Sequence, residues 1–210
     1  MNSYLEMSAR EFDEQYQATP VWNTGRPQKA YVDRFTITPP QSPVLDIGCG
    51  SGDLAIFVAG LGCDVLGVDF APTAIAQATS RAQAANSKAS FKVHDIFSQP
   101  GLDRSFKTVL DCCFFHTLAD ASRAKYAQRL RSLLEPNGLI YLLCNADQVG
   151  IGRRAVTKQT LERVFASGWS ILSVEPCVIE IAFIPAGRGM PGIFACLKRR
   201  DYCGRRMAGT

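Results

Sequence analysis

Histidine is almost absent, with two in 210 residues. The eight cysteines are scattered; Cys112-Cys113 is the one close pair, and no Cys-x-x-Cys occurs. This speaks against a zinc site, any other metal centre or a disulfide framework. Cys49, Cys112 and Cys144 then read as small buried hydrophobes in a reducing cytoplasm. No apolar run is long enough to span a bilayer, so no membrane partner is expected. Met1 to Glu6 lack a basic patch followed by an apolar stretch, so no signal peptide is expected either. The formal charge is only +4, too small to argue for nucleic acid. The basic excess gathers near the end, in Lys198, Arg199, Arg200, Arg205 and Arg206, which read as a solvated run leading into a basic tail over 201–210, with an anion-contacting or partner-binding tail as the alternative. Repeats and a second-domain linker are also missing.

What is present is enough for one packed α/β domain, since 47% of the residues are apolar. Its organising stretch is Val44-Leu45-Asp46-Ile47-Gly48-Cys49-Gly50-Ser51-Gly52. Val44, Leu45 and Ile47 form a short strand behind Pro39, Pro40 and Pro43. Gly48, Gly50 and Gly52 then turn the chain into a helix, and this predicts a nest of backbone N–H groups against which a ligand can lie. The dinucleotide fingerprint Gly-x-Gly-x-x-Gly is not met. A pyrophosphate favours a helix N-terminus free of negative charge. Asp46 and Asp53 flank this turn instead, which suits a ligand with a cationic group.

At these residues the chain resembles the class I S-adenosylmethionine (SAM)-dependent methyltransferases. SAM carries an ammonium, a sulfonium and no phosphate. The next strand, Cys63 to Asp69, ends in an acid about 20 positions past the first glycine, placed to accept both ribose hydroxyls. Phe70 is expected on the adenine edge or in ordinary core. The resemblance implies that Asp95, after a third strand from Ser90 to His94, binds the adenine amino group, with Ile96 against the ring. His94 is expected in the sheet or a helix interface.

Upstream, Ala9 to Ala18 reads as an amphipathic helix capped by Ser8 with Glu11 three residues on. A loop follows from Thr19 to Gln28, and Pro27 is expected to open a second helix through Phe35. Its Trp22-Asn23-Thr24-Gly25-Arg26-Pro27 segment resembles the thiopurine S-methyltransferase-like group, which includes halide and thiol methyltransferases. That likeness implies an N-terminal lid over 1–42 ahead of a SAM-binding core over 43–200. Trp22 would pack near the methionine end of SAM or pin the loop to the core. Arg26 would fix the lid or meet an anionic group. A lid excludes water from the methyl donor.

Phe106 to Phe115 reads as the fourth strand, whose end should face the transferable methyl. Cys112 is expected at the cofactor, and Cys113, Phe114 and Phe115 in the substrate pocket. His116 is a general-base candidate or pocket wall, and Asp111 a ligand or structural contact. Asp120 to Leu134 predicts a helix with Arg123, Lys125, Arg129 and Arg131 outward. Leu139 to Cys144 is the fifth strand after a Pro136-Asn137-Gly138 turn. A variable loop from Asn145 to Arg154 and a helix from Thr157 to Ala166 follow. Trp169 to Ile184 and Gly192 to Lys198 complete an antiparallel hairpin around a Pro185 to Pro191 loop.

The fold expected is Rossmann-like α/β: seven strands, mostly parallel with an antiparallel last strand, helices on both faces and an N-terminal helical lid. The expected activity is in-line methyl transfer from SAM, leaving S-adenosylhomocysteine (SAH), to a small-molecule acceptor. A soft nucleophile such as a thiol, selenol or halide needs little or no base and no metal. The alternatives are O- or N-methylation with His116 as base, a non-catalytic SAM-binding protein, and a NAD-dependent oxidoreductase.

Overall fold

The computed structural model describes residues 8–98, 101–146 and 155–201. Residues 147–154 of the variable loop and residues 202–210 of the basic tail lie outside them.

Seven strands form one sheet: β1 Val44–Ile47, β2 Val65–Asp69, β3 Ser90–Val93, β4 Phe106–Cys112, β5 Leu134–Asn145, β6 Trp169–Glu180 and β7 Gly189–Arg199. Their order is β3-β2-β1-β4-β5-β7-β6. The first five pair in parallel; β7 runs antiparallel to β5 and β6. The order reverses between β1 and β4, so their carboxyl ends frame a crevice where ligands of open α/β sheets bind.

Alternation along β1 assigns its residues to the two faces. Leu45 and Ile47 join a core with Tyr126 and Leu130 of α5 (Asp120–Leu133) and Leu161 of α6 (Lys158–Val164). Val44 joins the opposite core, with Tyr31 and Phe35 of α2 (Lys29–Ile37) and Leu54 and Val58 of α3 (Asp53–Gly60). Two further helices, α1 (Ala9–Gln15) and α4 (Pro72–Ala84), meet near the end of β2. Among the described residues, no helix is long and apolar enough to cross a membrane.

Several boundaries differ from the sequence reading. Helix α1 starts as expected, with Ser8 and Glu11 closing a capping box, but stops at Gln15. Helix α2 starts at Lys29 rather than Pro27, because the Gln28 side chain is held by the Glu180 backbone. Strand β4 ends at Cys112, short of Phe115. There Cys113 takes φ +70°, and the Asp111 carboxylate accepts the Phe114 and Phe115 N–H groups, turning the chain away from the sheet. Strand β5 begins at Leu134, before the expected turn, with Asn137 at φ +63° and a register shift against β4. The hairpin's turn falls earlier too, since β6 stops at Glu180 and β7 starts at Gly189. Arg123 is not outward: it is 2% exposed, with its guanidinium 5.0 Å from the Phe115 ring centroid and 3.2 Å from Asp120.

Candidate active site

The glycine turn is built differently from an anion nest. Gly48, Gly50 and Gly52 all have positive φ, which side chains adopt at a cost. The N–H groups of Gly48 and Cys49 donate to the Val68 carbonyl at 2.8 and 3.1 Å. The Gly50 N–H donates to an Asp69 carboxylate oxygen at 3.0 Å. The Gly52 N–H closes on the Cys49 carbonyl at 2.9 Å. These four donors are committed inside the protein and are not offered to a ligand. The turn's contribution is close approach. A Cβ on Gly50 would lie 2.7 Å from the Tyr16 hydroxyl, and one on Gly48 3.1 Å from the Phe114 ring.

Asp46 is 1% exposed, and neither carboxylate oxygen has a hydrogen-bond partner among the described residues. The Ala55 N–H exerts a lowering influence on it without closing a hydrogen bond. Burial pushes its pKa well up, and the Asp111 and Asp69 carboxylates add to the rise. A buried, unpartnered carboxylate is costly. A cationic ligand lying on the turn would relieve that cost. Asp53 does not share this role. It pairs with Arg81 of α4, whose guanidinium also reaches the Ser51 hydroxyl at 2.8 Å. The predicted pair of acids is therefore one buried acid without a partner among the described residues and one structural ion pair.

Asp69, at the end of β2, accepts the Gly50 and Ala71 N–H groups, at 3.0 and 2.9 Å. A carboxylate has further acceptor capacity beyond these bonds. Burial raises its pKa. Phe70 packs edge-on against Phe12, with centroids 5.5 Å apart. Asp95 is exposed and accepts the Phe97 N–H at 2.9 Å, while Ile96 is buried in the core. The Ile96 carbonyl is held by Arg129 at 2.9 Å, a role for Arg129 that its expected outward face did not signal. His94 follows β3 half-buried, its Nε2 enclosed without a hydrogen-bond partner among the described residues, and burial lowers its pKa.

The end of β4 gathers Cys112, Cys113, Phe114, Phe115 and His116. Asp111 makes structural contacts. Its carboxylate takes the Tyr126 hydroxyl at 2.7 Å besides the two turn N–H groups. Burial raises its pKa to about 6, against the lowering from Tyr126 and those N–H groups. His116 is 3% exposed, and its Nδ1 accepts the Asn145 N–H at 3.1 Å. Neutral His116 therefore carries its proton on Nε2. Cys112 and Cys144 have pKa values pushed up, the first most by contact with Cys113 and the second by burial, so they stand as neutral thiols. Phe115 packs into the core, its ring facing Tyr126 and Phe165.

The N-terminal segment is tied to the glycine turn and to the end of β6. Trp22 Nε1–H donates to the Tyr16 hydroxyl at 3.2 Å, and Arg26 meets Glu180 at 3.1 Å. Asn23 accepts the Ser51 hydroxyl proton at 3.0 Å, and the Val21 carbonyl accepts the Ala182 N–H at 2.7 Å. Tyr16, which the sequence marked only as a helix-face residue, is 6% exposed beside the glycine turn. Among the described residues, no three His, Cys, Asp or Glu side chains converge so as to hold a metal ion.

The sheet order, the glycine turn at the end of β1 and the two acids Asp46 and Asp69 define a Rossmann-like methyltransferase fold. Residues 44–138 match the family model described as a methyltransferase domain. The chain is similar to the 2-heptyl-1-hydroxyquinolin-4(1H)-one methyltransferase of Mycobacteroides abscessus, 29% identical over 84% of this chain and 80% of that one. It is also similar to a solved chain from work on the conversion of a disulfide bond into a thioacetal group during echinomycin biosynthesis. That chain is 28% identical, with a TM-score of 0.82, and the match covers 92% of this chain and 93% of that one. Magnesium protoporphyrin IX methyltransferase of Synechocystis PCC 6803, solved with bound SAM, shares the fold. It is 16% identical with a TM-score of 0.71, over 95% of this chain and 100% of that one. The chain has a class I methyltransferase fold, and the domain match and these relatives show it to be a SAM-dependent methyltransferase.

Proposed function

We propose that the protein transfers the methyl group of SAM directly to a small soft nucleophile: a thiol, a selenol or a halide ion. One observation carries this reading. The Nδ1 lone pair of His116 is already taken by the Asn145 N–H, and its neighbours at the end of β4 are Cys112, Cys113 and Phe114. A thiolate or halide attacks a sulfonium carbon without giving up a proton at that moment, so positioning and water exclusion supply the rate. SAM fits the residues present. Asp46, beside the turn, is buried without a partner among the described residues, Asp69 offers acceptor capacity for the ribose, and Gly48 and Gly50 let Phe114 and Tyr16 approach the turn closely. In this reading Trp22 is on the methionine side, Phe70, Asp95 and Ile96 are on the adenine side, and Cys112 is next to the donor. Gly52 opens α3 at the far end of the turn. Arg26 fixes the lid formed by residues 1–42, and Cys113 and Phe114 wall the acceptor chamber of the 43–200 core, while Phe115, expected there too, is fully buried in the core behind them. The solved relative's disulfide-to-thioacetal chemistry supports a sulfur acceptor. Cysteines free of disulfides among the described residues support a cytoplasmic setting.

A second reading is favoured by the hydroxyquinolone named for the Mycobacteroides relative. Here the acceptor is an oxygen or nitrogen, and His116 is the base. SAH release from a panel of thiols, iodide, phenols and an N-hydroxyquinolone decides between the two. Turnover of thiols or iodide, with His116→Gln within about threefold of wild type, upholds the first. Turnover of oxygen acceptors alone, abolished by His116→Gln, upholds the second.

A further inference from the structure

We infer that Arg81 is a positioning residue for the cofactor turn: its one guanidinium holds the glycine turn and the N-terminal segment together, and SAH leaves when that grip opens. The inference rests on the SAM reading of the turn and adds to it a residue from outside the site. Arg81 lies in the last turn of α4. It is the third member of a polar stripe, Thr73, Gln77 and Arg81, spaced four apart on one helix face. All three hold the N-terminal segment. Thr73 is bonded to the Asp13 carboxylate, Gln77 donates to the Tyr16 carbonyl, and Arg81 Nη2 donates to the Gly25 carbonyl at 3.3 Å. Gly25 takes φ +72°, while a Cβ there would meet nothing within 4 Å. Glycine at this position serves the direction of the backbone, not a close approach.

The other donors of the same guanidinium grip the turn. Arg81 Nη1 donates to the Ser51 hydroxyl oxygen at 2.8 Å and to Asp53 at 3.1 Å. Because the Ser51 oxygen accepts from Arg81, its own proton can turn to Asn23 Oδ1 of the N-terminal segment, at 3.0 Å. Ser51 is buried between Gly50 and Gly52, so its position sets the shape of the turn. An ion pair with Asp53 alone needs only a point charge. Bridging a carboxylate, a hydroxyl and a carbonyl on two segments needs a planar fork.

The two ends of the N-terminal segment differ in how readily they release. At Arg26 and Gln28 it is fixed to Glu180, whose side chain is 4% exposed, and the Gln28 amide bonds the Glu180 backbone in both directions, at 2.9 and 2.8 Å. The Arg81 side chain is 35% exposed. Water can replace its bonds, and an ion pair open to solvent is weak. The Arg81 end is therefore the one that opens.

The test measures SAH release by stopped-flow displacement and amide exchange in residues 21–25. Arg81→Lys keeps a cation beside Asp53 and loses the fork. It should speed SAH release about tenfold, the scale of one or two hydrogen bonds, and raise the exchange. Asn23→Ala, which leaves the Arg81–Asp53 pair untouched, should speed release too. The double variant should gain less than the product of the single effects, because both changes break one linkage. Release at the wild-type rate in either single variant, or effects that multiply in the double, would overturn the assignment and leave Arg81 an ion-pair partner of Asp53. Wild-type protein that does not bind SAH would overturn the cofactor reading beneath it.

Discussion

The Asp13 carboxylate caps a helix that cannot cap itself. Helix α4 begins after Ala71, which has no side-chain acceptor, and Asp13 of α1 takes the Thr73 N–H at 2.8 Å and the Thr73 hydroxyl at 3.0 Å. A cap is thus supplied from 60 residues away, and it binds the N-terminal segment to the element that follows Asp69. Gln77 reinforces it by donating to the Tyr16 carbonyl at 2.8 Å. Asp13→Ala is expected to cost about 1 kcal/mol of stability, as lost caps do. It should also raise the rate of proteolysis within residues 17–28. Chemical denaturation and limited digestion read the two effects; unchanged values in both would show the cap to be idle.

Asp69→Ala is expected to weaken SAH by about 1–3 kcal/mol, the range for a lost hydrogen bond to a charged group. The effect has two parts, because the same carboxylate holds the Gly50 and Ala71 N–H groups. Calorimetry on the variant measures the sum, and affinity equal to wild type would remove the ribose assignment.

Asp111 predicts a pH dependence whose sign is fixed. Its folded pKa, about 6, lies above the ordinary carboxylate value, so the native state holds a proton that the unfolded chain has released. The stabilisation is complete below the unfolded pKa and is lost as pH rises toward 6. One proton corresponds to a slope of at most about 1.4 kcal/mol per pH unit. In Asp111→Asn, urea midpoints between pH 4 and 6 should show a smaller fall than in wild type. A slope identical in the two proteins would place the titration elsewhere.

Glu180 is the clasp of the lid. It accepts from Arg26 at 3.1 Å, from the Lys29 N–H at 3.4 Å and from the Gly187 N–H at 2.6 Å. Burial alone would raise its pKa, but the Gly187 N–H and Arg26 hold it lowered. Its contribution is therefore present above the ordinary glutamate value and fades as pH falls through the folded one. Glu180→Gln should leave the sheet intact and increase amide exchange in residues 21–28. Exchange there matching wild type would mean that Gln28 and Val21 hold the segment unaided.

The sheet was legible in the chain because local signals agree there. Three glycines after Val-Leu-Asp-Ile, an acid at the end of β2 and apolar runs at regular spacing leave few other folds. The core of the site, from Asp46 to Asp69, lies inside one strand–turn–helix–strand unit, and short-range spacing encodes it. What the sequence left undecided depends on residues far apart in the chain. Asp53 looked like half of an acidic pair until Arg81, 28 residues on, took it. Arg123 followed the polar helix face but is covered by Phe115 and Asp120. The strand ending at Cys112, the tautomer of His116 and the nearness of Tyr16 to Gly50 follow from contacts across the sheet. Periodicity reports which face a residue lies on; only packing decides which partner meets it there, and hydrogen bonds and charge follow the partner.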